Sequence, residues 1–244
     1  MKIVTWNCNW AFRGKFKKAL ELDGDIYIVQ ECENPKLVKS KDFKDYEDYN
    51  TYMKFTKNHK WIGDNKNKGL GIFVNTLKTS EQQIKIEILP CNNNLDYFIL
   101  CRVNEKFNLL GAWCHKGTIK GLEYIGQMWK YLEDNASELS ETLIVGDFNS
   151  NAIWDFRHKG HSHSDVVDIL SKIGLVSYYH SQEKENHGEE KKATFYRWKK
   201  HNKSYHIDYF FGKSEWVKSL EIGEFADWIK FSDHMPLIAE ININ

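Results

Sequence analysis

The chain has 244 residues, 41% of them hydrophobic and 28% charged, and Lys plus Arg match Asp plus Glu at 34 each. This composition argues against a disordered chain, and the zero formal net charge counts mildly against a protein that coats duplex nucleic acid, though local patches could supply the charge. With only three prolines and no Gly/Ser-rich linker, a single domain over 1–244 is expected.

In chain order, "KIVTWN" and "DIYIVQE" (25–31) are β-rich runs. Between them "FRGKFKKALELDG" sets Phe16, Ala19 and Leu20 on one helical face, with Gly24 suited to its exit. The lysine-rich stretch from Lys54 to Lys68 reads as a solvated loop. Strands follow at 70–75, 96–103, 107–115 and 142–149, and between the last two Leu122, Ile125, Trp129 and Leu132 form a helical stripe. Val166, Ile169, Leu170 and Ile173 repeat that logic, with Gly174 as the stop. Residues 181–192 read as a second solvated loop. "ATFYRW" and "YHIDYFF" flank a polar hairpin tip, and Leu237, Ala239 and Ile241 alternate in a final strand. Many strands with fewer helices indicate a layered α/β or α+β sandwich.

Five cysteines include no CxxC pair, and those inside strands suit packing as small hydrophobes. Met1-Lys2 runs directly into a strand, with no signal-peptide pattern, and no apolar run reaches membrane-spanning length. A reducing cytoplasm, no membrane association and no obligate protein partner are the expectations.

Polar residues recur at the ends of the apolar strands: Asn7, Glu31, His115, Asp147 with Asn149, His206 with Asp208, and Ser232-Asp233-His234 ahead of the last strand. Each alone reads as a turn residue, a helix cap or a satisfied histidine. Gathered at successive strand ends, they are where layered sheets collect ligand groups.

"TWNCN", "QECE", "GDFNSN", "HIDYFF" and "SDHMP", in this order from residue 5 to 236, resemble the signature of the endonuclease/exonuclease/phosphatase superfamily. The resemblance implies a four-layer α/β sandwich of two packed mixed β-sheets flanked by helices. It implies Glu31 as principal ligand of Mg²⁺ or Mn²⁺, with Asn7 and Asp233 contributing to the metal site. Asp147 is then the base or orienter of the attacking water, and Asn149 a donor to the growing negative charge. His234 faces the phosphate as a cation, held by Asp208, and His115 matches a position that faces the phosphate, with Trp113 as an alternative register. These roles meet the needs of phosphodiester hydrolysis: neutralised charge, an oriented water and help for the leaving oxygen. Asn9, Trp10 and "QECE" depart from the AP-endonuclease pattern of the superfamily, which counts against that particular specificity.

Asn9, Arg13, Asn151, Trp154 and His206 are candidate substrate contacts; Arg157 and His163 share that loop region. "HSHSD" (161–165) resembles the HxHxDH zinc motif of metallo-β-lactamase-fold hydrolases but has Val166 where the last His belongs, and Ser164 or Asp165 suits a helix cap. "FYRWKKHNK" mixes aromatic and basic residues as single-strand binders do, and equally reads as an exposed hairpin tip. The expected activity is that of a nuclease on DNA or RNA. The alternative is a phosphatase or phosphodiesterase on small nucleotides, inositol phosphates or phospholipid. A non-catalytic descendant of the scaffold would have lost ligands or base, all of which are present here.

Overall fold

Alternation along the strands sets the layers. In β1 (Lys2–Asn7), Ile3, Thr5 and Asn7 share one face while Val4 and Trp6 take the other. The computed structural model describes residues 1–78, 83–91, 95–158 and 160–243. After β1 come α1 (Phe16–Leu20), β2 (Ile26–Cys32), α2 (Tyr46–Phe55), β3 (Asn58–Asn65) and β4 (Lys68–Val74). The chain continues through β5 (Ile86–Ile88), β6 (Phe98–Val103), β7 (Phe107–Trp113), α3 (Ile125–Asn135) and β8 (Thr142–Asp147). Then follow α4 (His163–Lys172), β9 (Val176–Ser177), α5 (Tyr178–Glu183), β10 (Phe195–Tyr196), β11 (Ser204–Tyr205) and β12 (Asp208–Gly212). The last elements are β13 (Val217–Ile222), α6 (Phe225–Trp228) and β14 (Leu237–Ile241).

Two mixed six-stranded sheets result, ordered β13-β14-β1-β2-β4-β3 and β5-β6-β7-β8-β12-β9, beside a two-stranded β10-β11 ribbon. Each large sheet holds one parallel pair, β1 with β2 and β7 with β8, and antiparallel neighbours elsewhere. Between the sheets lie Ile3, Ile26, Ile28, Leu70 and Ile72 from one side and Leu109, Leu143, Val145 and Phe210 from the other. Outside the first sheet, Phe16, Tyr52 and Phe55 from α1 and α2 cover Val4, Trp6, Tyr27 and Phe73. Outside the second, Met128, Leu132, Val166 and Leu170 from α3 and α4 cover Leu110, Ile144, Tyr209 and Phe211. The architecture is the expected four-layer sandwich.

Three local expectations change. The Lys54–Lys68 stretch is the end of α2 and β3, the edge strand of its sheet, where lysines block pairing with other chains. Residues 181–192 begin inside α5. Beyond it they are a loop with exposed Lys184, Asn186, Glu189, Lys191 and Lys192, but His187 and Glu190 turn in against the second sheet's outer layer, so the loop is solvated only in part. β12 leaves the "HIDYFF" hairpin to join β8, leaving only the short β10-β11 ribbon.

Gly146, next to Asp147, carries a requirement of its own. Its φ is +150°, and a Cβ there would lie 1.9 Å from the Ala112 carbonyl of β7. Only glycine lets the parallel β7-β8 pair close at the end where Asp147 emerges.

Candidate active site

The inner faces change from apolar to polar at one end: Ile3 gives way to Thr5 and Asn7, Ile28 to Gln30, and Val145 to Asp147. That end gathers the C-termini of both parallel pairs. Antiparallel neighbours bring the start of β12 and the approach to β14 to the same rim, with Asp208 directly opposite Asp147 in the ladder. Topology therefore delivers the Asn7, Glu31, Asp147, Asn149, Asp208 and His234 side chains to one place.

Asp147 is fully buried and held by three donors. Asn7 Nδ2 and Asn149 Nδ2 each donate to its Oδ2 at 3.0 Å, and the Asn149 backbone N–H donates to its Oδ1 at 2.8 Å. Asn149 reaches back with φ at +47°, in the left-handed region that asparagine tolerates. Burial, then the Asp208 charge, push the Asp147 carboxyl up to about 7, against the pull of His234, Asn7 and Asn149.

His234 Nδ1 donates to the Asp208 carboxylate at 3.0 Å, and Thr194 Oγ1 donates to the same carboxylate at 2.6 Å. Burial works against an imidazolium here. Asp208 and Asp147 outweigh it, so His234 is held at about 10 and carries a positive charge at neutral pH. The backbone is pinned as well: Ser232 Oγ donates to Asn7 O, the His234 N–H donates to Ser232 Oγ, and Trp6 Nε1 donates to His234 O. With Nδ1 engaged, Nε2 is the nitrogen left for a ligand.

Glu31 sits on a β-bulge. The β2-β4 register shifts between Gln30 and Cys32, and Glu31 has φ at +59°. Such a bulge re-aims a side chain at a backbone cost of about 1–3 kcal/mol. Its carboxylate is 3.5 Å from Asn7 Nδ2 and 3.4 Å from Lys68 Nζ. Lys68 lies between two indoles, 4.6 Å from the Trp10 ring centroid and 4.9 Å from that of Trp113. Three carboxylates, Glu31, Asp147 and Asp208, thus meet two cations, His234 and Lys68. One ligand atom each from Asp147, Asp208 and His234 lies within 4.8 Å of the others, but the protonated imidazole has no free lone pair, so the carboxylate oxygens are what this rim offers a metal ion. The oxygen-rich, net negative donor set fits a hard divalent cation.

The other expected residues spread around this centre. His115 packs 4.8 Å from Trp113 between ring centroids, and its Nδ1 accepts from the Gly117 N–H. Burial, then nearby Lys68, lower its pKa, so its imidazole is neutral. Asn9 donates to Asp233 at 2.8 Å, linking the turn after β1 to the approach to β14. Asp233 is occupied there and does not join the carboxylate cluster. Asn7 turns its amide nitrogen, not its oxygen, toward the carboxylates. Trp154 lines a cleft of about 680 Å³ beside Asn149, with Arg157, Phe195, Arg197 and Tyr205.

Arg13, Asn151 and His206 are placed elsewhere. Arg13 turns to Glu33, which also accepts its backbone N–H, and lines a separate cavity. Asn151 is buried and donates to Glu190 and the His206 carbonyl, so its amide braces the loop from behind. Two-residue alternation through "YHIDYFF" would set His206 on the face of Asp208, but β12 begins only at Asp208. His206 instead is buried beside Tyr179 and Tyr209, as His163 is beside Tyr209. Sequence reasoning missed Lys68, Thr194 and the anchoring role of Trp6. Lys68 was hidden in a charge run, and its only signal is its place directly ahead of an apolar strand.

The sequence matches no protein-family model and no curated protein. Solved structures do resemble the whole chain. A variant of NExo from Neisseria, described as a 3′ phosphatase bound to a product DNA hairpin, is 16% identical, with 99% of each chain covered and a TM-score of 0.66. The 3′-5′ exonuclease NExo from Neisseria meningitidis is 18% identical over 99% of this chain and 100% of its own, also at 0.66. The endonuclease domain of TRAS1, a telomere-specific non-LTR retrotransposon, is 11% identical over 99% and 98%, at 0.59.

Proposed function

The chain has the fold of the endonuclease/exonuclease/phosphatase superfamily, and from that premise we propose that it is a divalent-metal-dependent phosphoesterase whose main activity is that of a nuclease. The observation that carries the reading is the meeting of Glu31, Asp147, Asn149 and the Asp208–His234 pair at one sheet rim. The neighbours' nucleic-acid chemistry, and a cleft beside Asn149 that combines arginines with aromatic rings, support nucleic acid over a small phosphoester.

Glu31 is the main oxygen donor for Mg²⁺ or Mn²⁺, which when bound offsets charge on the phosphate. Asp147, oriented by Asn7 and Asn149, takes the proton of the attacking water. In this reading Asn149, beside Asp147, donates to the developing negative charge. His234 presents its cationic Nε2–H to a non-bridging phosphate oxygen, and Asp208 fixes its tautomer and charge.

The test is a substrate panel with Mg²⁺ and Mn²⁺: supercoiled plasmid, single strands, duplexes ending in a 3′ phosphate, structured RNA and inositol phosphates. Nucleic-acid cleavage that stops in excess chelator and falls about 10³-fold or more in Asp147→Asn is the expected result. Turnover of inositol phosphates alone would overturn the nuclease reading.

A further inference from the structure

A second cluster of ionisable groups lies behind the catalytic loop. α4 brings the buried His163, α5 brings His180, and the returning segment brings His187 and Glu190. One ligand atom from each of His180, His187 and Glu190 lies within 4.8 Å of the others. His163 Nε2 is 3.1 Å from His187 Nδ1, close to the roughly 3.3 Å that separates two nitrogens on a tetrahedral zinc ion.

The surroundings meet part of what such a site needs: the His180 and His187 rings stack with centroids 3.5 Å apart, so one turns for both to face an ion, and the buried His163 Nδ1 has no partner. Metal-bound histidines use their second nitrogen on a neighbouring polar group, and His180 Nδ1 is 2.7 Å from Ser177 Oγ. His206 Nδ1 donates to the Lys192 carbonyl, which leaves a buried, unpartnered lone pair on Nε2 beside the cluster. Burial keeps the His163 and His187 imidazoles neutral, as ligands must be, with His187 lowered to about 3. Burial opposes charge on Glu190, but hydrogen bonds from His180, Asn151 and Gly188 hold its carboxyl down at about 2. One anion among neutral imidazoles offers a charge and nitrogen lone pairs to a borderline-soft cation, whereas Mg²⁺ seeks oxygen.

We propose that His180, His187 and Glu190, with His163 as fourth donor, form a zinc-type transition-metal site separate from the catalytic centre. "HSHSD" lacks a zinc ligand set by itself; the fold supplies the missing donors from residues 180, 187 and 190. The ion ties α4, α5 and the 184–191 segment together. Through the Glu190–Asn151 hydrogen bond at 3.0 Å, it steadies the loop that begins with Asn149. The proposal stands whether or not the phosphoesterase reading does.

The experiment uses the full chain, stripped by chelator and titrated with Zn²⁺ alone under excess Mg²⁺. One tightly bound equivalent is expected, with a Tm rise of about 5–10 °C at a hundredfold excess over Kd. Co²⁺ in its place should give the intense visible bands of a tetrahedral nitrogen-ligated ion. His187→Gln, whose side chain is only half-buried, should weaken binding about 100-fold or more with an unchanged apo circular dichroism spectrum, while Glu31→Gln keeps its equivalent. If His187→Gln misfolds, the wild-type stoichiometry and Co²⁺ spectrum decide. No bound equivalent, an octahedral oxygen-type Co²⁺ spectrum, binding that survives His187→Gln, or binding lost in Glu31→Gln would each overturn the proposal.

Discussion

Replacing Asp208 with Asn should convert His234 from a permanent cation into an ordinary titrating imidazole. His234 stands at about 10, well above its unperturbed value of about 6.5, because the Asp208 and Asp147 carboxylates outweigh burial. A unit charge 3.0 Å away favours the charged form by roughly 5 kcal/mol at an effective dielectric of about 20. With that charge gone and burial unchanged, His234 should titrate at about 6.5 or below. At pH 8 the imidazolium fraction then falls about 30-fold. Wild-type Asp147, at about 7, is itself mostly protonated at pH 6, so the two proteins are compared by trend and not by a single ratio. The imidazolium fraction of Asp208→Asn should fall about 25-fold from pH 6 to pH 8, and its kcat/KM should decline over that range while that of wild type does not. NMR of labelled His234 gives the pKa without any substrate, and circular dichroism checks folding. A variant kcat/KM that does not decline from pH 6 to pH 8, or a His234 pKa still above 9 in the variant, would refute the electrostatic argument.

Gly146→Ala should cost more than about 3 kcal/mol, because the added carbon meets the Ala112 carbonyl of the neighbouring strand, which cannot rotate away. A thermal melt within about 2 °C of wild type would count against this. Acid should weaken the chelator-stripped protein through His187 and His206, held at about 3 and about 4 chiefly by burial. Folded values below the unfolded 6.5 mean that the unfolded chain binds more protons in between. Their stabilisation is complete above pH 6.5 and fades as pH falls, by roughly 2–3 kcal/mol each at pH 4.5. A Tm that is flat from pH 7 to 4.5 would dispose of it.

Much of the site was legible because sheet alternation is local. A run such as Ile3-Thr5-Asn7 or Leu143-Val145-Asp147 shows by itself that a polar group ends an inward face. The order of those strand ends, with "SDH" before the last strand, pointed to the fold. What escaped depends on contacts that no short window contains. Lys68 gains meaning only when Trp10, Trp113 and Glu31 surround it, and Thr194 only when Asp208 folds back upon it. His206 was misplaced because two-residue periodicity was extended past the true start of β12. The Glu31 bulge breaks the same periodicity, and there the break directs the side chain. His163 stands in the incomplete HSHSD motif and His187 in a stretch that reads as a solvated loop, and no short window joins either to His180, since their meeting is tertiary.

The pinning of His234 to β1 has a consequence for the order of assembly. Ser232 and Trp6 join segments more than two hundred residues apart in sequence at the candidate rim, and β14 completes its sheet by docking on β1. The His234 imidazole is therefore set only once that long-range contact has closed, so a folding intermediate holding the other strands of the first sheet still has an unformed rim.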